Sequence, residues 1–198
     1  GAGHVGGNLV RQLLYNGWQV RCLIHQDTRA LEGLDVENGK GDLSDTAVLA
    51  KQMSGCDVVF HTAAYVAVEN IDIPLMEKIN VGGTKAMCKA ALANQVEQFI
   101  HFSSIHAFQQ QPTSDTLTED RPLVQDSKAA PYDRTKAAAQ RHVLDAYNQG
   151  LNASILHPTG IIGPYDFKPS RMGQVISDIA KQKMPIIINS GFNWVDVR

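Results

Sequence analysis

Cysteine is scarce in this chain, and what there is lies scattered. Cys22, Cys56 and Cys88 are three, an odd number, with no paired ligand spacing among them. A disulfide framework and a cysteine-based zinc site are therefore excluded as organising principles, and a reducing, cytoplasmic location is expected. Long apolar runs are lacking too: no stretch approaches the roughly 20 residues of a membrane span, and the start shows no signal-peptide pattern. Nor does either charge dominate, since 18 Lys and Arg face 20 Asp and Glu for a net charge of −2. Without a basic surplus, neither nucleic acid nor a membrane is an expected partner, and small molecules are. His4, His101 and His142 stand at no metal spacing from one another and read as packed or solvated imidazoles.

What is present is a regular alternation. With 198 residues, 43% of them apolar, the chain can bury one substantial core and part of a second. Strand-like runs fall at 19–25, 57–62, 98–103 and 152–157, with a further one at 185–188. Helical patterns fall at 45–53, 75–93 and 132–148, and another runs from Asn8 to near Gly17. Strands alternating with helices predict an α/β fold, a doubly wound parallel sheet of the Rossmann type. The stretch 109–130, rich in Gln, Pro, Ser, Thr and Asp, reads as a long surface loop. Both ends read as cut, because a nucleotide fold places a strand before its glycine loop, and 194–198 carries no cap. The expected division is a dinucleotide-binding domain over 1–165 and the truncated start of a smaller substrate lobe over 166–198.

Two motifs carry chemistry. Gly1-Ala2-Gly3-His4-Val5-Gly6 is a Gly-x-Gly-x-x-Gly opening a helix, where backbone amides can approach a pyrophosphate. Tyr132 and Lys136 are four residues apart, one helical turn, so phenol and ammonium share a face. A cation there favours phenolate and lets a tyrosine exchange a proton with a carbonyl oxygen near neutral pH. Ser104 closes the apolar run Phe99-Ile100-His101-Phe102 and stands 28 residues before Tyr132. Its neighbour Ser103 competes for the same role, but alternation along a strand sends the two to opposite faces. His61 and His106 border the same region, and His106, two residues past Ser104, can face a substrate.

In this order the motifs resemble the extended short-chain dehydrogenases/reductases, in the branch of the dihydroflavonol reductases and 3β-hydroxysteroid dehydrogenases. Further matches carry the resemblance. Gly41-Asp42-Leu43 is similar to the acidic step at adenine, and His61-Thr62-Ala63-Ala64 to the cofactor-lining strand end. Asn80-Val81-Gly82-Gly83-Thr84 resembles the Asn-Val-x-Gly-Thr helix motif, and 158–164, from Pro158, completes the series. The resemblance implies hydride transfer between a nicotinamide and a carbonyl or alcohol, with Tyr132 as general acid or base and Ser104 on the substrate oxygen. It implies that Lys136 holds the ribose and lowers the Tyr132 pKa, and that Asn80 completes the catalytic set. Gly1, Gly3, His4, Val5, Gly6, Asp42, Leu43, Thr62, Ala63, Ala64 and Pro158 would line the cofactor. A homodimer through the helices at 75–93 and 132–148 is implied as well.

NAD selection usually needs a carboxylate at the end of the second strand, where this chain has His25. His25, Gln26 and Arg29 are left to meet a 2′-phosphate, so NADP is the expected cofactor; Asp27, two residues on, keeps NAD open. Asn80 can instead satisfy backbone groups, and Asp42 can be a plain turn residue. Two other functions compete. Nucleotide-sugar epimerases generally carry Val-Tyr-Gly where this chain has Ala107-Phe108-Gln109, and dehydratases a Thr-Asp-Glu run that is missing here. A non-catalytic NADP-sensing regulator would usually lose the tyrosine or the lysine, and both are kept.

Overall fold

The structure, a computed structural model, describes residues 1–67, 69–184 and 191–198. It divides into two compact units, Gly1–Lys40 with Thr159–Arg198, and Gly41–Pro158.

In the first unit, helix α1 (His4–Tyr15) starts behind Gly3, whose extended backbone offers no side-chain cap. It stops where its pattern does: Gly17, at φ +80°, takes the left-handed conformation. The amides of Gly17 and Trp18 then return to Leu14 and Leu13 at 3.0 Å each. Strand β1 (Arg21–Ile24) pairs in parallel with β2 (Glu37–Lys40). Cys22 and Ile24 of β1 pack with Val10 and Leu31 to form this unit's core. Strand β2, Glu-Asn-Gly-Lys, is absent from the sequence reading because it has no apolar alternation and buries only Gly39. The ladder and an ion pair between Arg21 and Glu37 at 2.8 Å hold it.

The second unit is built on a parallel sheet in the order β3 (Val58–His61), β4 (Gln98–Phe102), β5 (Ala153–Leu156). Its register sets His61 opposite His101 and Phe102 opposite Leu156. Helix α2 (Thr46–Met53) is capped by Asp45, whose carboxylate accepts from Ala47 and Val48 at 3.1 Å, and it buries Leu49 and Met53. The single helix expected over 75–93 is three pieces: α3 (Ile73–Met76), a wide π turn at Glu77–Gly82, and α4 (Gly83–Asn94). Helix α5 (Pro131–Asn148) begins on a proline, suited to a first turn whose amides lack intrahelical partners. It packs on the π turn and on α4, and Ala86 and Ala90 of α4 and Ala137 of α5 are buried. The predicted loop at 109–130 is irregular apart from a bridge between Phe108 and Leu123.

The rest of the first unit has β6 (Gly160–Ile162) and β7 (Trp194–Asp196) in parallel, and α6 (Arg171–Ala180), which buries none of its residues. These three elements are missing from the sequence reading, two being only three residues long. The strand expected at 185–188 lies outside the described residues. All named strands pair in parallel, as the alternation of elements predicts, and among the described residues they form sheets of two, three and two strands. Among the described residues no helix is long and apolar enough to cross a membrane.

Candidate active site

The second unit gathers Ser104, Tyr132 and Lys136 around the end of β4. Lys136 is 4% exposed, and its ammonium donates to the carbonyl of Phe102, the last residue of β4, at 2.9 Å. Ser104, just past the strand, lies near enough to the Tyr132 phenol to draw its pKa down, and its Oγ accepts the His106 amide at 3.2 Å. Ser103 points the other way, donating to Gln140 Oε1 at 2.8 Å inside the unit. The pleat therefore separates the two serines as expected.

Electrostatics corrects one expectation. Burial raises the Tyr132 phenol above its ordinary pKa, the Ser104 hydrogen bond pulls it back, and the charge of Asp133 adds to the rise. Lys136 does not lower it here, because its ammonium lies against the Phe102 carbonyl while desolvation of the phenol outweighs other influences. Lys136 is itself brought down to about 8 by burial.

Asn80 sits in the π turn, 2% exposed, with its amide committed. Its Oδ1 accepts from the Tyr65 amide at 2.7 Å, and its Nδ2 donates to the Tyr65 carbonyl at 3.0 Å and to Thr135 Oγ1 at 3.2 Å. Thr135 in turn donates to the Tyr132 carbonyl at 2.9 Å. Asn80 thus clamps the segment after β3 to the helix carrying Tyr132 and Lys136; the reading in which it satisfies backbone groups describes its contacts. Thr84 extends the chain of bonds, donating to the Asn80 carbonyl at 2.7 Å and meeting His61 Nε2 at 3.0 Å.

Thr135 and Gln140 are functional neighbours that the sequence reading passes over. Gln140 Oε1 takes both Ser103 and, at 2.9 Å, His157. The available signal was helical spacing, since 132, 135, 136 and 140 lie on one face.

The other cofactor-lining candidates of this unit stand as follows. Ala63 and Ala64 are exposed beyond the end of β3, with Thr62 half-buried before them. Asp42 accepts from the amide and hydroxyl of Ser44, both at 2.7 Å, which is turn-forming chemistry. Leu43 packs against Gly83 at the start of α4. The Pro158 carbonyl accepts the Ile105 amide at 3.3 Å.

In the first unit the glycine loop is tight. A Cβ at Gly6 would stand 2.6 Å from the Gly1 carbonyl oxygen, so no larger residue fits. Gly3 is exposed and Val5 lies in the first turn of α1, which has no acidic residue and no side-chain cap. His4 Nε2 and Asn8 Nδ2 both reach the Pro164 carbonyl, at 3.0 and 2.9 Å, and fasten the loop. At the end of β1, His25 is exposed, and Asp27 grips Arg29 through both oxygens, at 3.0 Å to Nε and 2.6 Å to Nη2. The Arg29 hydrogen bonds hold the Asp27 carboxyl down at about 2.

Taken separately, one feature of each unit suits part of a nicotinamide dinucleotide. Uncapped amides suit a pyrophosphate, and a buried ammonium with one hydrogen bond among the described residues suits ribose hydroxyls.

Comparison with known proteins agrees. Residues 1–197 match the family described as NAD dependent epimerase/dehydratase. The chain is 34% identical over 198 residues to "Sterol demethylase protein B" of Methylococcus capsulatus, covering 99% of this chain and 60% of that protein. It is 34% identical over 200 residues to a "Putative dihydroflavonol 4-reductase" of Synechocystis, covering 100% of this chain and 58% of that protein. Among solved structures, gox2253 superposes with a TM-score of 0.89 at 33% identity, covering 99% of this chain and 60% of that one. The chain spans about three fifths of the length of these relatives. With its glycine loop, its Ser104, Tyr132 and Lys136 cluster, and relatives that include a 3 beta-hydroxysteroid dehydrogenase, this chain belongs to the NAD dependent epimerase/dehydratase family.

Proposed function

We propose that the protein is an NADP-linked oxidoreductase acting on a small carbonyl or alcohol substrate. The observation that carries the reading is the placing of Ser104 beside the Tyr132 phenol, whose pKa it draws down, one helical turn from a buried ammonium. The bound nicotinamide supplies or accepts the hydride. Tyr132 passes a proton to or from the substrate oxygen, Ser104 hydrogen-bonds that oxygen, and Lys136 holds ribose hydroxyls with its remaining donors. The reductase named among the relatives supports this direction.

In this reading residues 1–165 carry the dinucleotide and 166–198 open a substrate lobe. Asp27 supports NADP over NAD, because its carboxylate is already satisfied by Nε and Nη2 of Arg29, leaving His25 and the Arg29 Nη1 to face a 2′-phosphate. The working assembly is a cytoplasmic homodimer through the α4 and α5 faces.

The test is consumption of NADPH, against NADH, with a panel of aldehydes and ketones. Tyr132→Phe should lower kcat by several orders of magnitude while cofactor affinity barely changes, since only the proton is lost. Near-normal turnover in Tyr132→Phe would overturn the assignment, and tighter binding of NADH would overturn the cofactor choice.

A further inference from the structure

His106 stands beside the Tyr132 ring, edge to face, with centroids 6.0 Å apart. Its Nδ1 lies 3.2 Å from the Asp133 carboxylate, and its backbone amide donates to Ser104 Oγ at 3.2 Å. One residue is therefore fixed against both groups assigned to the reaction and against the carboxylate that follows Tyr132. A carboxylate at Nδ1 keeps the proton on that nitrogen and leaves Nε2 as the outward atom of the ring. The ring is 38% exposed, and proton transfer at Tyr132 makes no use of it.

We propose that His106, oriented by Asp133, binds an anionic oxygen of the substrate, so that the preferred substrates are oxo acids with the carboxylate one or two carbons from the reducible carbonyl. This deepens the oxidoreductase reading above and rests on it. Asp133, whose carboxylate lies 3.2 Å from Nδ1, is the charged group that acts on His106, and it raises the imidazole above its ordinary pKa. Tyr132 and Ser104, the other groups in contact, are uncharged near neutrality. The ring thus presents an N–H near neutral and mildly acidic pH, which takes an acceptor and rejects a donor. An imidazolium bonding to a carboxylate is stronger than a neutral pair. Asp133 also balances the imidazolium charge, so attraction comes from a directed N–H rather than a net field. Selection is then short-range: the carboxylate must reach Nε2 itself, on a ring whose centroid is 6.0 Å from that of Tyr132, which favours a carboxylate close to the reducible carbonyl.

The experiment uses the full-length protein with its cofactor, a 3-oxo acid and the methyl ester of that acid. At pH 6 the acid should be preferred in kcat/KM by at least about 10-fold, and the preference should shrink as pH rises and the imidazole discharges. His106→Gln should raise KM for the acid about 10- to 100-fold, with a smaller effect on the ester, so the acid-to-ester ratio collapses. A wild-type preference for the ester, or equal losses for both substrates in the variant, overturns the proposal. A second measurement is independent of turnover: malonate, which is not reduced, is titrated into protein carrying 15N-labelled histidine. The imidazole resonance that disappears in His106→Gln should shift with malonate and not with dimethyl malonate. If neither oxo substrate is reduced while aldehydes or ketones of the panel are, the oxo-acid preference is overturned; if no carbonyl compound is reduced, the oxidoreductase reading fails by itself. The malonate shift then supports the anion site, and its absence overturns it.

Discussion

Two adjacent hydroxyls, Ser103 and Ser104, have different work because a strand turns successive side chains to opposite faces. Ser104 meets the Tyr132 phenol, whereas Ser103 is 4% exposed and bonded to Gln140. Ser104→Ala should therefore cost roughly 10²- to 10³-fold in kcat, the usual effect of removing one donor to a developing oxyanion. Ser103→Ala should leave turnover near normal and lower unfolding free energy by about 1 kcal/mol, since Gln140 keeps His157 as a partner. Side-by-side kinetics and urea melts decide this, and equal kinetic losses would move the catalytic role to Ser103. At this scale much was legible. Tyr132, Lys136 and Ser104 do come together, because helical spacing and strand alternation are short-range geometry. The charge balance was not: the direction of the Tyr132 shift depends on how deeply the phenol is buried, and spacing along a chain carries no depth.

The π turn shows what the element level adds. Periodicity reads 75–93 as one helix because a wider turn at Glu77–Gly82 changes the phase without removing apolar residues. It matters because Asn80 lies in that turn and binds both polar backbone groups of Tyr65 together with Thr135. Asn80→Ala would leave the Tyr65 amide and carbonyl without these partners in a half-buried place, at about 1 kcal/mol for each group, since water can replace part of the bond. It should also loosen the seat of α5, so kcat falls while the acidic and alkaline limits of the pH profile stay in place. A shift of those limits would instead make Asn80 a titration partner of Tyr132. The same level explains the missed β2, β6, β7 and α6. Short or polar strands are defined by the ladder that receives them, whereas in α6 the apolar spacing of Met172, Val175, Ile176 and Ile179 was a legible helical pattern that went unread.

At the scale of the whole molecule the buried imidazoles set the response to acid. His61 and His101 face each other across β3 and β4 with ring centroids 5.2 Å apart, 2% and 1% exposed. Burial first, and then the nearby Lys136 charge, brings His61 down to about 3, and burial likewise holds His101 well below its ordinary 6.5. A histidine depressed in the folded chain binds its proton more readily when unfolded. Its contribution is therefore intact above about 6.5 and is lost as pH falls from there towards the folded value. At pH 5 each such group removes about 2 kcal/mol relative to neutrality. His106, raised by Asp133, acts in the opposite sense and offsets part of this loss. His101 differs from His61 in one respect: His61 bonds to Thr84, while neither ring nitrogen of His101 has a hydrogen-bond partner among the described residues. His101→Leu removes both the unpaired polar atoms and the acid-sensitive group while keeping most of the volume. It should leave stability at pH 7.5 unchanged or slightly higher, and at pH 5 exceed the wild type by about 2 kcal/mol. Urea midpoints at the two pH values measure this, and parallel losses in wild type and variant would show that the acid sensitivity lies elsewhere.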